Sequence, residues 1–387
     1  LLRSFGADDV VGFQTQPDAD NFRDCIVNAN AGVSVNSNLC EVDGRGLRAG
    51  AFPIGIDTEA FVHKACAAGK NSSIKHTLAK LDQHEVIIGV DRLDYSKGLT
   101  HRVQAFSTFL DRSPGAVRRR VTMLQITPKS RSDVPEYARM QRELAEEVGR
   151  INGKFGDVDW TPLRYTNKPM SHAALAGLYR KSRVGLVTPL RDGMNLVAKE
   201  YVAAQAPDDP GVLILSQFAG AAHELKSALI VNPYDIEATA DAIARAFAMP
   251  LEERKDRWHA MMAALRANSV HDWASHFLEA LTCEADSAVL ERPLADSVFM
   301  AANGEDRLEP RSTASFQPRV PATDSRGPIR IAPPVAQNAF SRRVAVKNSV
   351  RPLSKAPKRR PAHGRTGPVI FAGADTTQPI LEKPPAG

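Results

Sequence analysis

Between about residues 84 and 231, short apolar runs alternate with stretches of helical periodicity. The runs are rich in β-branched residues and apolar throughout: Val86–Val90, Val121–Ile126, Val184–Thr188, Val212–Leu215 and Leu229–Val231. A strand that is apolar on both faces belongs to a sheet covered on both sides, and strands that alternate with helices form βαβ units. The pattern therefore predicts one doubly wound parallel sheet.

A second α/β piece precedes this sheet. It contains the apolar run Val10–Phe13, a helix near Asp18–Asn30 and a turn unit that ends at Phe52–Asp57. About 57 residues are too few for a stable domain of this type by themselves. We therefore expect the end of a domain whose beginning lies upstream, consistent with a sequence that starts at Leu1 rather than at Met.

Helical periodicity continues after the sheet. It predicts two helices, at about Ile236–Ala248 and Leu251–Ala267, followed by His271–Cys283. The last of these places Trp273 and Phe277 on one face, together with Leu281, as a packed helix requires.

The last 102 residues differ in composition from the rest. Residues 286–387 hold 14 of the 26 prolines, with 16 Lys and Arg against 9 Asp and Glu, so the net charge of +6 comes from this tail. A segment with so few apolar residues cannot offset the entropy of ordering it, which predicts disorder. The basic cluster Lys355–Arg365 has no interleaved aromatics for base stacking, so a solvated linker is favoured over binding to RNA or acidic lipid.

Several classes of protein are disfavoured by the motifs that are missing. The four cysteines (Cys25, Cys40, Cys66 and Cys283) form no CxxC pair, which argues against a zinc site or a disulfide framework and favours free thiols in a reducing cytoplasm. No run of about 18 apolar residues predicts a membrane span. GxGxxG, GxxxxGK[ST] and GxSxG are absent, and Asp157 and Asp159 match a DxD metal motif no better than chance.

The first candidate site is the loop Asp91–Gly98, directly after a predicted strand. Ligands of open α/β sheets bind beyond the carboxyl ends of the strands, where this loop must lie. Arg92 and Lys97 are two cations that could neutralise a departing diphosphate. Ordinary ion pairs with Asp91 and Asp94 are the alternative, and the spacing leaves both readings open.

The second candidate site is Thr188–Glu200, where a strand leads through a glycine turn into a helix that opens near Asn195. The free N–H groups of a helix start bind anions. Gly193 permits close approach of a ligand, Asp192 can accept from sugar hydroxyls, and Glu200 can accept from a ribose diol. A plain strand–loop–helix connection is the less favoured alternative.

The third candidate site is Lys129–Asp133, which precedes a helix capped by Ser132 or Asp133. Arg131 is suited to a bidentate grip on a phosphate. An ion pair with a neighbouring carboxylate explains the same arginine equally well.

These loops resemble the trehalose-6-phosphate synthase family, and the resemblance runs from Leu1 to about Cys283. The matching stretches are GFQT (12–15), PIGID (53–57), DRLDYSKG (91–98), SRSDV (130–134), INGKFG (151–156), VGLVTPLRDGMNLVAKEYVAAQ (184–205), LSQFAGAAHEL (215–225) and LIVNPYD (229–235). Only the tail lies outside it.

The resemblance implies an α/β fold of the GT-B type, with two Rossmann-like domains facing a cleft. We expect residues 1–60 to form the end of the acceptor domain, 61–268 the nucleotide-sugar domain and 269–285 a terminal helix that crosses back, while the composition predicts that 286–387 form the disordered tail. The implied reaction moves glucose from UDP-glucose to glucose-6-phosphate with retention, with no metal and no cofactor. The implied protein is cytoplasmic and a homo-oligomer, without membrane or nucleic-acid partners.

The resemblance also assigns roles to single residues. Arg92 and Lys97 are implied to be catalytic ligands of the diphosphate, Glu200 the ribose ligand and Arg131 an acceptor-phosphate ligand. The donor loop is implied to consist of Asp192, Gly193, Met194, Asn195, Leu196 and Val197. The family's remaining acceptor groups precede the segment that matches Leu1, so we expect this chain alone to be inactive.

Three other readings remain open, one of which is an RNA-binding protein whose binding depends on the basic tail. Another GT-B transferase with a different acceptor would share the same donor loops, and the acceptor domain would distinguish it. A catalytically silent scaffold of the same fold is disfavoured by the intact Arg92, Lys97, Asp192 and Glu200.

Overall fold

The described part of this computed structural model contains two sheets. The sheet that comes later in the chain forms the predicted doubly wound domain. Residues 2–81, 83–129, 134–282 and 370–371 are described. The sheet has the order β10-β9-β8-β5-β6-β7, with every neighbouring pair parallel. Its strands are β5 (Glu85–Val90), β6 (Val121–Ile126), β7 (Leu163–Thr166), β8 (Val184–Val187), β9 (Val212–Ser216) and β10 (Leu229–Val231).

Five of these six strands coincide with the predicted apolar runs to within one residue. The sixth, β7, was missed because it is an edge strand in which only Leu163 is buried and the sequence Leu-Arg-Tyr-Thr has no apolar run. An edge strand has one open side and needs no continuous apolar sequence.

Helices cover both faces of this sheet. In chain order the helices are α1 (Gln16–Asn28), α2 (Thr58–Ala68), α3 (Ser72–Ala79), α4 (Leu99–Arg112), α5 (Gly115–Arg118), α6 (Pro135–Phe155), α7 (His172–Lys181), α8 (Leu196–Ala204), α9 (Ile236–Ala248), α10 (Leu251–Ala267) and α11 (Val270–Thr282). Helices α2, α7, α8 and α10 pack on one face, and α4, α6 and α9 on the other. Alternate residues of β5 enter the two cores, with Ile88 in one and Ile87 in the other.

Helix starts follow the capping chemistry of the sequence at most positions. The side chains of Thr15, Asp57, Ser171 and Asp235 accept hydrogen bonds from the first turns of α1, α2, α7 and α9. The start predicted for α6 was wrong, because the cap position is held by Val134 and the helix begins at Pro135. Proline suits this first position since its fixed φ is already helical and it needs no N–H partner there.

The first sheet has the order β11-β1-β4-β3-β2 and a small core of its own. Its strands are β1 (Val10–Phe13), β2 (Val33–Ser34), β3 (Leu39–Val42), β4 (Arg45–Ala51) and β11 (Ile370–Phe371). Strand β4 runs parallel to β1 and antiparallel to β3. Helix α11 packs beside this sheet: Phe277 lies edge-on to Phe52 at 5.0 Å, and Trp273 donates to the carbonyl of Phe52 at 3.1 Å.

Strand β11 differs from the expectation of a wholly disordered tail. Val11 pairs with Ile370 and Gly12 with Phe371, in parallel. The free edge of β1 offers unpaired N–H and C=O groups, and an Ile-Phe pair has high β propensity. The rest of the predicted tail lies outside the described residues.

Candidate functional site

The loops after β5 and β8 meet at the point where the order of the second sheet reverses. From β5 the chain proceeds outward to β6 and β7, then returns to place β8 on the other side of β5. Such a switch point leaves a crevice beyond the carboxyl ends of the two central strands, where ligands of open α/β sheets bind. Two of the three loops singled out in the sequence therefore lie side by side at the expected edge.

Backbone hydrogen bonds hold the two loops together. The carbonyl of Ser96 accepts from the amides of Leu190 at 2.7 Å and Arg191 at 3.3 Å. Gly98 has a φ of 63°, and a Cβ there would lie 2.7 Å from the carbonyl oxygen of Thr188. Glycine is required at this position for both reasons, since other residues rarely adopt this conformation.

Lys97 is ion-paired across the loops rather than within its own. Its Nζ lies 2.7 Å from Oδ2 of Asp192, and both side chains are nearly buried, with 13% and 12% exposed. Asn195 donates to the same carboxylate oxygen at 2.9 Å. The alternative of local pairs is not seen for Lys97, because Asp91 pairs with Arg102 and Asp94 accepts from the amide of Ser96.

Asn195 also caps the start of helix α8. It has a φ of 77°, and its Oδ1 accepts from the amide of Ala198 at 3.1 Å, which caps α8. The amides of Leu196 and Val197 belong to the first helical turn, where N–H groups have no acceptor within the helix. Helix α8 therefore directs its positive end at the crevice, as the sequence predicted.

The turn after β9 closes the crevice from the other side. Asp192 and Ala219 form a parallel β-bridge, and the amide of Gly220 donates to the carbonyl of Asp192 at 3.1 Å. A Cβ on Gly220 would lie 1.9 Å from the carbonyl oxygen of Gly193. The sequence reading assigned Gly220 no role, although a glycine just beyond a strand end is a signal of close backbone approach.

A buried arginine supports both loops from below. Arg102 on α4 is 1% exposed and forms an ion pair with Asp91, at the end of β5. Its Nε donates to Oγ1 of Thr188 at 3.0 Å, and Nη2 donates to the carbonyl of Lys97 at 3.4 Å. Arg102 thus connects the roots of both loops and was also missed from sequence.

Glu200 lies one turn into α8, partly buried between α8, α2 and α7. Burial raises the pKa of Glu200 to about 7, while the positive charge of Lys64 on α2 acts to lower it. A carboxylate in this setting changes charge near neutral pH, because burial disfavours its ionised form.

Lys199, the neighbour of Glu200, faces the opposite way into the protein. Its side chain is fully buried, and Nζ lies 2.7 Å from Oε1 of Glu224 and 2.8 Å from the carbonyl of Ile54. Asn268 donates to the other oxygen of Glu224 at 2.9 Å and to the carbonyl of Pro53 at 3.0 Å. Burial lowers the pKa of Lys199, and Glu224 opposes that change.

The remaining predicted site residues are distributed as follows. Arg92 is half-buried in the β5 loop beside Asp91, and Met194 is buried between Gly193 and Asn195. Arg131 and the rest of residues 130–133 lie outside the described residues, so the acceptor-phosphate assignment stays a prediction. Across the described residues we find no group of three His, Cys, Asp or Glu side chains placed to hold a metal ion. Within the same part of the chain, each helix is too short or too polar to cross a bilayer.

Comparisons with known proteins agree with this architecture. The family model for glycosyltransferase family 20 matches residues 1–283. The trehalose-6-phosphate synthase of Sinorhizobium fredii is 54% identical over 286 residues, which are 74% of this chain and 61% of that protein.

Solved structures give the same result. A UDP-forming α,α-trehalose-phosphate synthase from Burkholderia xenovorans, in complex with glucose-6-phosphate, is 48% identical with a TM-score of 0.68 over 70% of this chain and 60% of that one. The Escherichia coli structure bound with UDP-2-fluoro glucose is 44% identical, with a TM-score of 0.67 over the same shares of 70% and 60%. The chain therefore spans about 60% of the length of the relatives it matches.

Two sheets with packed helices, of which the second is wholly parallel and leaves a crevice at its switch point, define an α/β fold of the GT-B type. The match over residues 1–283 is more particular: the chain belongs to glycosyltransferase family 20.

Proposed function

We propose that the crevice between the β5 and β8 loops binds UDP-glucose. We further propose that the whole protein transfers the glucose to glucose-6-phosphate with retention, giving trehalose-6-phosphate and UDP. The observation that carries the proposal is the meeting of Lys97, Asp192 and the start of α8 at the switch point. The names and ligands of the relatives, which include glucose-6-phosphate and UDP-2-fluoro glucose, supply the substrates.

The positive groups of the crevice suit a diphosphate that gains charge as it leaves. The ion pair with Asp192 holds Lys97, and the helix holds the first amides of α8, so these groups need little rearrangement during the reaction. Arg92 adds a second positive charge from the same loop as Lys97. Nζ of Lys97 lies 2.7 Å from Oδ2 of Asp192. A bound diphosphate shares Lys97 with Asp192, and the carboxylate of Asp192 remains anchored by Asn195 and can accept from a glucose hydroxyl.

A front-side displacement accounts for retention with these groups. The bond between the glucose C1 and the diphosphate oxygen breaks, and a bond from the acceptor hydroxyl oxygen to C1 forms on the same face. The hydroxyl proton passes to the departing phosphate, whose charge Arg92 and Lys97 stabilise. The double-displacement route needs a free carboxylate nucleophile about 5 Å from an acid partner. Asp192 is poorly suited to that task, since its carboxylate is bound by both Lys97 and Asn195.

The 387-residue chain is expected to bind UDP and UDP-glucose but to release no UDP when glucose-6-phosphate is added. The donor loops lie in a complete parallel sheet, whereas the chain spans about 60% of the length of its relatives. Orientation of two substrates contributes about 7–11 kcal/mol to such a reaction, so a partly built cleft is not expected to turn over. Calorimetry with UDP measures the binding, and a coupled UDP-release assay with glucose-6-phosphate measures the turnover. If UDP, GDP and ADP all failed to bind, the donor assignment would be contradicted. Acceptor-dependent release of UDP would contradict the expected inactivity.

Glu200→Gln is expected to change stability and donor binding in opposite directions. The pKa of Glu200 is about 7 in the folded chain and about 4.5 when unperturbed, so the folded state holds the extra proton between these pH values. Ionisation of Glu200 therefore reduces the free energy of unfolding as the pH rises from 4.5 through 7. At pH 8 the neutral glutamine should stabilise the unliganded chain by on the order of 2–3 kcal/mol, with the difference gone below pH 4.5.

The same substitution should weaken UDP binding, because glutamine replaces a charged acceptor for the ribose diol. In an active enzyme it should raise KM more than it lowers kcat, since a ribose contact is equal in ground and transition states. Glu146→Gln on the exposed face of α6 is the matched control and should change neither quantity. Higher stability with unchanged UDP affinity would show that Glu200 is not a ligand.

A further inference from the structure

A second polar cavity lies at the edge of the sheet opposite the donor crevice. It has a volume of about 300 Å³ and forms where β5 and β8 begin and where α7 and α8 end. Its walls include Arg120, Arg180, Lys181 and Arg183, with Glu85 and Asp209 as the only carboxylates among the lining residues described. This volume is at the lower end of the range for small-molecule sites. Strand β5 has six residues, which separates the two edges by about 20 Å.

Arg183 forms ion pairs with both carboxylates of the cavity, Glu85 and Asp209. Its Nε lies 3.4 Å from Glu85, and its Nη1 lies 3.2 Å from Asp209. Asp209 also pairs with Arg254 at 2.6 Å. Arg183 and Arg254 thus neutralise the two carboxylates, and the remaining cations of the wall add positive charge.

Arg120 and Arg180 keep their charge uncompensated. Within the described residues neither forms an ion pair with a carboxylate. Arg180 uses a single nitrogen, Nη1, to donate to the carbonyls of Ala204 at 3.3 Å and Gln205 at 3.5 Å. These carbonyls end α8, so they hold the guanidinium in place, and its other N–H groups remain available for an acceptor.

His84 adds a neutral hydrogen-bonding group to the same wall. Burial lowers the pKa of His84, and the nearby positive charge of Arg164 lowers it further. Its Nδ1 is buried and has no hydrogen-bond partner among the described residues. A buried polar atom without a partner is unusual in a folded protein.

We propose that this cavity binds a phosphate dianion, either free or as the monoester of a small molecule. The two arginines without carboxylate partners match the charge of one dianion, and guanidinium geometry favours phosphate oxygens. The walls offer little apolar surface, which disfavours a nucleoside or a lipid chain. The site is separate from the donor crevice and does not depend on the function proposed for it.

The test is an NMR titration of His84 in the whole 387-residue chain, with the resonance assigned by His84→Gln. Inorganic phosphate and glycerol 3-phosphate are added separately, against sodium chloride at equal ionic strength. A bound dianion favours the imidazolium, so either ligand should raise the pKa of His84 by roughly 0.5 unit or more, while chloride should not. A larger effect of the ester identifies a phosphorylated metabolite as the ligand, and equal effects show that the phosphate group alone suffices.

Charge-matched variants separate the cavity from general electrostatics. Arg120→Gln with Arg180→Gln should weaken phosphate binding at least 10-fold, and Arg120→Gln alone, at an exposed position, should weaken it without endangering the fold. Arg139→Gln with Arg150→Gln removes the same charge from exposed residues paired to Glu143 and Glu147 and should leave binding unchanged. The Lys97→Ala variant should also bind phosphate here normally. An unshifted pKa of His84, or equal losses in both double variants, would overturn the proposal.

Discussion

Lys97→Ala is expected to weaken binding of UDP to this chain by about 10–100-fold, the loss that follows from removing a hydrogen bond to a charged group. Lys97 is held 2.7 Å from Asp192 and is nearly buried, so its charge acts at short range and with little screening by water. The same substitution leaves Asp192 without its cation beside an incoming diphosphate, which adds repulsion. Arg92→Ala is expected to act in the same direction. In an enzyme that turns over, each should lower kcat by about 10²-fold, since the leaving group gains charge in the transition state.

Uridine is the ligand control for this experiment, because it lacks the diphosphate. Its affinity should be equal in the natural chain and in Lys97→Ala. Lys154→Ala, at an exposed position on α6 where the lysine pairs with Asp111, is the protein control. Equal loss of UDP and uridine binding would indicate a collapsed site, and unchanged UDP binding would remove Lys97 from the proposed mechanism.

Arg102→Met is expected to lower the free energy of unfolding by about 3–5 kcal/mol. The pair of Arg102 and Asp91 is buried, with 0% and 3% of the two side chains exposed, and methionine would leave the carboxylate without its partner. Thr188 and the carbonyl of Lys97 would also lose a donor. Urea unfolding monitored by circular dichroism measures the change.

Adding Asp91→Asn to Arg102→Met should recover part of the lost stability, because the buried negative charge is then gone. Arg112→Met, which removes exposed ion pairs on the same helix, should cost about 1 kcal/mol or less. A loss below about 1 kcal/mol for Arg102→Met would show that water reaches Asp91 and that the pair is not a structural support.

The strands of the second sheet and the loops that follow them could be predicted because each is a local pattern. A buried parallel strand is a run of apolar residues, and the loop that follows it must lie at the carboxyl edge. The partners of the charged residues could not be predicted in the same way. Lys97 pairs with Asp192, which is 95 residues away, rather than with the nearby Asp91 or Asp94. Only the sheet order brings the two together.

Arg102 illustrates a signal that was present but not used. It lies on the apolar face of α4, three residues after Leu99 and four before Phe106, both of which are buried. A charged residue at such a position means either that the apolar face of the helix is wrongly assigned or that the residue belongs to a buried ion pair. Its partner still required the fold, because Asp91 precedes it by 11 residues across a loop. Strand β7 and the pairing of β11 with β1 had no comparable local signal.

The buried Lys199 constrains how this family can vary. Its ammonium serves Glu224, beyond β9, and the carbonyl of Ile54, in the segment that follows the first sheet. Loss of Lys199 alone would leave the Glu224 carboxylate without its cation, and loss of Glu224 alone would leave the buried Lys199 ammonium without its anion. We therefore expect substitutions at positions 199 and 224 to be tolerated together better than singly. Because Lys199 directly precedes Glu200 on α8, a change at position 199 is expected to disturb the proposed donor crevice as well as the segment that follows the first sheet.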